Sequence, residues 1–332
     1  LLMLIVRVPL RISLGGGGTD LYNWYSKFGS FLITATIDKF IYITLSRRDL
    51  EKNFWLSYSK IENLKNLKKI KHLIIRNILL KYPKIENLEI HTISEVPSNS
   101  GLGSSGSLTV GIIQGLNLLL KKKFSPKSLS EQSIKIEMDL NKKNAGRQDQ
   151  YAAAYGGLIK LIINKKGFTK VEKLKISKKK LKDFQKNIFL IYIKNRRYAA
   201  EILKKQSKLI KEKKNTVAIM KKIQILGKKS CEVLEKGKID DYGYILDEHW
   251  NLKKKIGNFM TNKNIENLYD NLKKNGSIGG KIIGAGGGGF LMSYVPKKNH
   301  KKFKSYLNQR KLSVLDWKFY FEGSKIIFND EQ

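Results

Sequence analysis

The sequence predicts a two-domain protein that mixes helices and strands, and three features indicate this. A chain of 332 residues is long for one hydrophobic core. Segments with a strand pattern, such as Leu88–Ser94, occur together with segments whose apolar residues recur at helical spacing, such as Leu108–Leu120. Three glycine-rich segments, near residues 15, 101 and 284, each stand beside a strand. We therefore expect these three segments to converge on one ligand.

The composition excludes several classes of protein. A hydrophobic content of 41% fills real cores, yet no apolar run reaches the roughly 18 residues of a membrane span, so no membrane partner is expected. The single cysteine, Cys231, excludes an internal disulfide framework and favours the cytoplasm. The four histidines are scattered and give no spacing typical of metal ligands.

The net charge of +37 raises nucleic-acid binding as an alternative function of a different class. Only nine of the 65 Lys and Arg residues are arginines, the side chains that read guanine edges and clamp phosphates. The lysines are spread over nearly every polar segment, which favours a solvated surface. We therefore expect no nucleic-acid partner, although an anionic small molecule would still be attracted.

The central motif is a Gly/Ser loop between a strand and a helix, over residues 97–107, which we call the cradle loop. Backbone N–H groups at a helix N-terminus lack partners and attract anions, glycine permits close approach, and serine hydroxyls add ligands. This pattern predicts a phosphate cradle, and a serine-capped turn without a ligand is its structural alternative. The residues expected to bind the cofactor are Pro97, Ser100, Gly101, Leu102, Gly103, Ser104, Ser105, Gly106 and Ser107.

Other phosphate motifs fit this loop poorly. Gly101, Gly103 and Gly106 have the spacing of the dinucleotide fingerprint, but six residues (95–100) separate them from the strand and no acid follows about 20 residues later. A Walker A motif is missing from the sequence, as are the catalytic motifs of protein kinases.

The remaining elements are predicted from periodicity and from turn and cap residues. In the first half we expect a strand at Leu4–Val8, a hairpin over Phe31–Leu45 that turns near Asp38-Lys39, a strand at Asn53–Ser59, a helix over Leu73–Leu80, a helix over Ser128–Leu140 capped by Ser128 or Ser130, a turn and short helix over Asn144–Gly157, and a hairpin of Leu158–Ile163 with Phe168–Leu174. In the second half we expect a linker at Ser177–Lys182, strands at Ile188–Ile193 and Phe290–Val295, and helices over Ala199–Lys213, Thr216–Gly237 and Asp240–Ile256. One more helix and one or two strands, from Trp317–Phe321 and Lys325–Phe328, follow.

Two carboxylates near the cradle are candidates for phosphoryl-transfer chemistry. A kinase needs a carboxylate for Mg²⁺, which takes hard oxygen ligands, and commonly another near the attacking hydroxyl. Glu137 lies on the helix after the cradle helix, and Asp149 lies in the following short helix. From the residues alone, each of them is equally compatible with an ordinary surface acid.

Taken together, these motifs resemble those of the GHMP family of small-molecule kinases. The family's three motifs correspond in order to Pro9–Asp20, Pro97–Ser107 and Lys281–Gly289, so the resemblance spans the whole chain. It implies an α+β fold with a domain like ribosomal protein S5 domain 2 over residues 1–175 and a ferredoxin-like domain over residues 183–332. It also implies ATP and Mg²⁺ as cofactors.

The resemblance implies roles for individual residues. Asp149 matches the catalytic aspartate, and Arg11 matches the basic residue of the first motif that pairs with it. Ser105 and Glu137 match the Mg²⁺ ligands, and Gly106 stands where many relatives carry alanine. The residues expected to bind or support the substrate are Gly17, Gly18, Thr19, Asp20, Arg197, Gly286 and Gly287.

Within the family, the first motif and the segment over residues 144–157 resemble most those of heptose 7-phosphate kinases and related fucokinase modules. This implies phosphorylation of the anomeric hydroxyl of D-glycero-D-manno-heptose 7-phosphate, with fucose and galactose as the alternative acceptors. Arg196 and Arg197 are candidates for a clamp on the substrate phosphate, and a solvated charge pair is the equal alternative. The sequence leaves a homodimer open.

Overall fold

The computed structural model describes residues 3–48, 50–142, 144–193 and 199–330, and within them two β-sheets are covered by helices. The strands are β1 (Met3–Gly15), β2 (Ser30–Arg47), β3 (Phe54–Ser57), β4 (Ile61–Leu64), β5 (Leu88–Ser94), β6 (Leu158–Ile163), β7 (Thr169–Lys173), β8 (Ile188–Ile193), β9 (Gly279–Ile282), β10 (Gly289–Tyr294), β11 (Val314–Leu315) and β12 (Lys325–Asn329). The α-helices are α1 (Tyr22–Phe28), α2 (Leu73–Leu79), α3 (Ser104–Leu119), α4 (Pro126–Leu140), α5 (Gln148–Tyr155), α6 (Lys178–Asn187), α7 (Ala199–Glu212), α8 (Lys214–Glu235), α9 (Ile239–Lys254), α10 (Lys263–Lys274) and α11 (His300–Gln309).

The first sheet has the order β12-β1-β2-β5-β3-β4, and the β6–β7 hairpin joins it through β2. All its pairs are antiparallel except β3 with β5. Helix α3 packs against β1 and β2, where Gly111 and Gly115 leave room for the side chains of Ile43 and Leu45. The close approach of α3 to the sheet fixes where the cradle loop, at the N-terminus of this helix, comes to lie.

The hairpin predicted over Phe31–Leu45 is wrong, because β2 is one continuous strand of 18 residues. Pro9 pairs with Phe40 and Leu10 with Ile37, so Asp38 and Lys39 form a bulge opposite β1. The backbone N–H of Asp38 donates to the carbonyl of Lys318, and its carboxylate accepts from the N–H of Lys318 at 2.6 Å. The polar residues that looked like a turn therefore anchor the C-terminal segment.

The second sheet is antiparallel and has the order β11-β8-β10-β9. Its core contains Trp250 of α9 and Phe303 of α11. Strand β12 then returns the chain to the first sheet, where it pairs with β1. The division into domains over residues 1–175 and 183–332 remains a proposal. Strand β12 does not follow it, because β12 lies in the second range but pairs with the first sheet.

Two further local predictions are wrong. The predicted linker at Ser177–Lys182 is the start of α6, because the Ser177 hydroxyl caps the helix by accepting from the N–H of Lys180. Helix α4 begins at Pro126 with Ser125 as its N-cap rather than Ser128 or Ser130, and Ser128 completes a reciprocal capping box. Of the one or two strands predicted near the C-terminus, Lys325–Phe328 is part of β12, and Trp317–Phe321 forms a single bridge from Phe319 to Ile37.

Strand β4 and helix α10 were not anticipated by the sequence analysis. Among the residues that the structure describes, no helix is both long and apolar enough to cross a lipid bilayer.

Candidate active site

One open cavity lies where the three glycine-rich segments meet. Gly17 and Gly18 line it from the first segment, Gly101 and Gly103 from the second, and Gly284 from the third. The convergence expected from the sequence is therefore confirmed.

The cradle loop leads directly into α3, which begins at Ser104, four residues before the predicted start. Gly103 is the N-cap, with φ 81°, and Gly101 has φ 86°. Both values lie in the left-handed region that glycine adopts without strain. The first N–H groups of α3 have no partner inside the helix, and Ser104 and Ser105 line the cavity, so these groups are available to an anion.

Three carbonyl oxygens of the cradle loop accept hydrogen bonds from other segments of the chain. The Ser100 carbonyl accepts from the N–H of Phe290 at 3.1 Å, the Gly101 carbonyl from Arg11 Nη1 at 2.6 Å, and the Leu102 carbonyl from the Arg11 N–H at 3.0 Å. Because these oxygens are occupied, the loop presents to the cavity the polarity that suits phosphate.

The predicted cofactor-binding residues fall into two groups. Gly101, Gly103, Ser104 and Ser105 line the cavity. The other five do not line it. Pro97 is exposed, Ser100 and Leu102 are buried, and Gly106 is buried beneath Asp149. The Ser107 hydroxyl donates to the Pro9 carbonyl at 2.9 Å.

Arg11 and Asp149 form a two-point ion pair on the cavity wall. Arg11 Nε donates to Asp149 Oδ1 at 2.8 Å, and Arg11 Nη2 lies 2.7 Å from the same oxygen. The Arg11 side chain is 5% exposed, whereas that of Asp149 is 29% exposed and reaches the cavity. A fixed guanidinium thus holds a partly accessible carboxylate beside the phosphate cradle.

Two cradle glycines make room for this pair. A Cβ atom on Gly103 would lie 3.1 Å from Arg11 Cγ, and one on Gly106 would lie 2.6 Å from Asp149 Cβ. These two glycines therefore serve the packing of the ion pair.

Ser105 and Glu137 also meet, as the resemblance implied. The Ser105 hydroxyl donates to Glu137 Oε2 at 3.3 Å, and Thr109 and Gln150 donate to Oε1 at 3.2 and 2.9 Å. Burial raises the pKa of Glu137 to about 7, against the lowering effect of these hydrogen bonds, and the nearby charge of Asp149 raises it further.

This pair fits a magnesium ion. A hydroxyl and a carboxylate supply two hard oxygens, and Mg²⁺ usually keeps waters and phosphate oxygens as its other ligands. Among the residues that the structure describes, no group of three or more His, Cys, Asp or Glu side chains could hold a metal alone. A buried carboxylate with a raised pKa is a group that a cation would stabilise in its charged form.

Asp20 organises the start of α5, the helix that carries Asp149. Its Oδ2 accepts from the N–H groups of Arg147 and Gln148 at 2.8 and 3.0 Å, and its Oδ1 accepts from the N–H of Gly18 at 3.2 Å. Arg147, the N-cap residue, provides no side-chain cap of its own. Asp20 is buried, which raises its pKa, yet it lines the cavity and keeps acceptor capacity there.

The other predicted substrate residues are distributed differently. Thr19 is buried and its hydroxyl donates to the Gly16 carbonyl at 2.7 Å. Gly286 packs against Met260, and the N–H of Gly287 donates to the Met260 carbonyl at 2.9 Å, so neither residue lines the cavity. Arg196 and Arg197 lie outside the described residues.

Several cavity residues were missed by the sequence analysis, and two of them, Gln148 and Lys253, carry polar groups that matter for the site. Gln148 is 5% exposed and its Nε2 has no hydrogen-bond partner among the described residues, so it is a free donor at the site. Lys253 on α9 also lines the cavity. It shares the helical face of Tyr242, Leu246 and Trp250, and this apolar spacing could have marked it as buried.

Models of one protein family match both halves of the chain. The model of the GHMP kinases N-terminal domain matches residues 67–157, and the model of the GHMP kinases C-terminal domain matches residues 232–312. Together they cover both the cradle and the third glycine-rich segment.

Individual relatives match over nearly the whole chain. The D-glycero-alpha-D-manno-heptose 7-phosphate kinase of Campylobacter jejuni is 31% identical over 337 aligned residues, covering 96% of this chain and 97% of the relative. The mevalonate kinase of Methanocaldococcus jannaschii is 26% identical, covering 94% and 98%. The crystal structure of a D-glycero-D-manno-heptose 1-phosphate kinase from Bacteroides thetaiotaomicron superposes with a TM-score of 0.79 at 22% identity, covering 99% of each chain. The chain belongs to the GHMP kinase family.

Proposed function

We propose that this ATP-dependent sugar kinase transfers the γ-phosphoryl group of ATP to the anomeric hydroxyl of D-glycero-D-manno-heptose 7-phosphate, giving the 1,7-bisphosphate for nucleotide-activated heptose and surface polysaccharide. The observation that carries the proposal is the Arg11–Asp149 pair beside the cradle, at 2.7–2.8 Å. The acceptor is proposed from the relative that is 31% identical, whose name gives this substrate.

The geometry supports direct, in-line transfer. A sugar hydroxyl bound next to Asp149 would give its proton to that carboxylate as its oxygen bonds to the γ-phosphorus, while the bond from the phosphorus to the β-phosphate oxygen breaks. Arg11, held by Asp149 and by the Gly101 carbonyl, would stabilise the negative charge that develops during the transfer. No phosphoenzyme is needed.

The cofactor side would use the cradle and the Ser105–Glu137 pair. The N–H groups at the start of α3 would bind the triphosphate, and Ser105 and Glu137 would hold Mg²⁺. Mg²⁺ would neutralise part of the phosphate charge. Gln148 and Asp20, which both line the cavity, would position sugar hydroxyls, the first by donating and the second by accepting hydrogen bonds.

The clamp for the 7-phosphate remains a proposal. Arg197 precedes α7 by two residues, and Ala199 and Ala200, the first residues of that helix, line the cavity. This proximity in the sequence supports a role for Arg197 in binding the acceptor. We further propose a cytoplasmic enzyme, with a homodimer as an open possibility.

A coupled ADP-release assay over free and terminally phosphorylated sugars tests the proposal, with the phosphorylated position read by ³¹P NMR. We expect the heptose 7-phosphate to be preferred and the product to carry an anomeric phosphate. Preference for free fucose or galactose would replace this acceptor with a fucokinase- or galactokinase-like one. Full activity of Arg197→Ala on the phosphorylated heptose would remove the clamp but leave the acceptor.

A further inference from the structure

Lys253 on α9 places a buried basic group at the cavity wall. Its side chain is 8% exposed, and its Nζ donates to the Gly284 carbonyl at 2.6 Å. None of the ion pairs between described residues includes Lys253 or Lys281. An ammonium group has three donors, so two remain after the bond to Gly284.

Other basic groups stand close behind it. Lys281 on β9 and His249 on α9 are both buried, and neighbouring positive charges add to burial in lowering their pKa values well below the usual range. Burial and the charge of Arg11 lower the pKa of Lys253 to about 8. Holding basic groups together without a carboxylate costs stability, and a bound anion would offset that cost.

The backbone brings Lys253 and Arg11 to the same point of the wall. Gly284 lies so close to Gly101 that a Cβ atom on it would meet Gly101 Cα at 2.9 Å. Lys253 binds the carbonyl of Gly284, and Arg11 binds the carbonyl of Gly101 at 2.6 Å. The two cations therefore flank one glycine–glycine contact at the cavity.

We propose that Lys253, with Lys281 as a neighbouring basic group, binds a phosphate oxygen in this cavity. Lys253 on α9 and Arg11 on β1 would then form one cationic site, with one residue from each half of the chain. The oxygen belongs either to the transferred γ-phosphoryl group or to a phosphate already carried by the acceptor. The proposal rests on phosphoryl transfer as the proposed function and adds a residue to it.

The test compares Lys253→Met, which keeps the aliphatic stem, with Lys255→Met, an exposed position at the end of the same helix. Calorimetry gives Kd for Mg-ADP and for Mg-AMP-PNP, which differ by the γ-phosphoryl group. Steady-state kinetics give KM for a phosphorylated and a free sugar, and the melting temperature of the ligand-free protein is recorded.

If Lys253 binds the γ-phosphoryl group, Lys253→Met weakens Mg-AMP-PNP binding by about tenfold or more relative to Mg-ADP, because a charge-assisted hydrogen bond is lost. If it binds the acceptor's phosphate, KM rises by a similar factor for the phosphorylated sugar alone. In both cases the ligand-free melting temperature stays the same or rises, and Lys255→Met behaves as wild type.

Unchanged affinity and KM ratios in Lys253→Met overturn the proposal, and a lower melting temperature together with them shows that Lys253 only holds the Gly284 loop. A different result would contradict the proposed function. Wild-type protein that phosphorylates no sugar contradicts that function, while the comparison of AMP-PNP with ADP still decides whether Lys253 binds a phosphate oxygen.

Discussion

At the scale of single residues, the ion pair of Arg11 and Asp149 is where a small chemical change should matter most. Asp149→Asn keeps the size of the side chain but removes the charge that accepts a proton. We expect turnover to fall by roughly 10²–10⁴, the usual contribution of a positioned general base. Arg11→Lys keeps a positive charge but loses the two-point contact at 2.7–2.8 Å, so turnover should fall there too.

Steady-state kinetics and the Kd for Mg-ADP measure these effects separately. Nucleotide binding should survive in Asp149→Asn, because the cradle is built from the backbone of another segment. Near-normal turnover in both variants would show that the pair is structural.

The raised pKa of Glu137 predicts how the need for Mg²⁺ depends on pH. Metal binding requires the ionised carboxylate, so the Mg²⁺ concentration for half-maximal activity should rise as the pH falls below about 7. In Glu137→Gln the requirement should be higher, by about 10- to 100-fold if a charged ligand is lost, and should no longer depend on this carboxyl group. Activity titrations with Mg²⁺ between pH 6 and pH 8 give the comparison, using as control the pH dependence of Ser105→Ala, which retains Glu137.

The same carboxyl group should make the metal-free protein less stable as the pH rises. A carboxyl group whose pKa is lowered on folding has the opposite effect. Between the usual pKa of 4.5 and about 7, the folded state keeps a proton that the unfolded state has lost. The free energy of unfolding of the wild type should therefore decrease relative to Glu137→Gln as the pH rises through this window. A difference that is constant with pH would contradict the raised pKa.

At the scale of elements, α5 depends on a cap from a distant part of the chain. Asp20 accepts hydrogen bonds from two N–H groups at the start of this helix. Asp20→Ala should lower the free energy of unfolding by about 1–3 kcal/mol, since buried donors lose their acceptor. Turnover should fall as well, because the same helix carries Asp149.

Urea unfolding and kinetics together separate this role from sugar binding. A residue that only binds the sugar would raise KM and leave stability unchanged. Asp241→Ala, in the exposed first turn of α9, is the control for losing an acidic residue at a helix start.

The elements also show how far the sequence could predict the molecule. Strand β5 and the meeting of three glycine segments were predictable, because strand alternation and glycine clusters are local patterns. The continuous strand β2 was not, since its bulge at Asp38 is held by Lys318 from the other end of the chain. Lys253 was missed because it is one of two lysines in the last turn of α9, and a charged side chain at a helix end is usually exposed, although its spacing from Leu246 and Trp250 places it on the buried face.

At the scale of the whole molecule, the net charge of +37 must be reconciled with a small-molecule site. The buried basic groups Arg11, Lys253 and Lys281 lie at or behind the cavity. Most lysines are instead exposed over both halves of the chain, where salt screens them. Charge at the cavity and charge on the surface should therefore respond differently to ionic strength.

Thermal unfolding with each ligand tests this separation and the rival nucleic-acid function. Mg-AMP-PNP at 100 times its Kd should add about 2.7 kcal/mol to the free energy of unfolding. That gain should persist at high salt if the concentration is kept at the same multiple of Kd, because it depends only on that multiple. Binding of duplex or single-stranded DNA through surface lysines should instead weaken steeply with salt. Stabilisation by DNA at physiological salt that Mg-AMP-PNP neither matches nor displaces would favour the nucleic-acid function over the kinase.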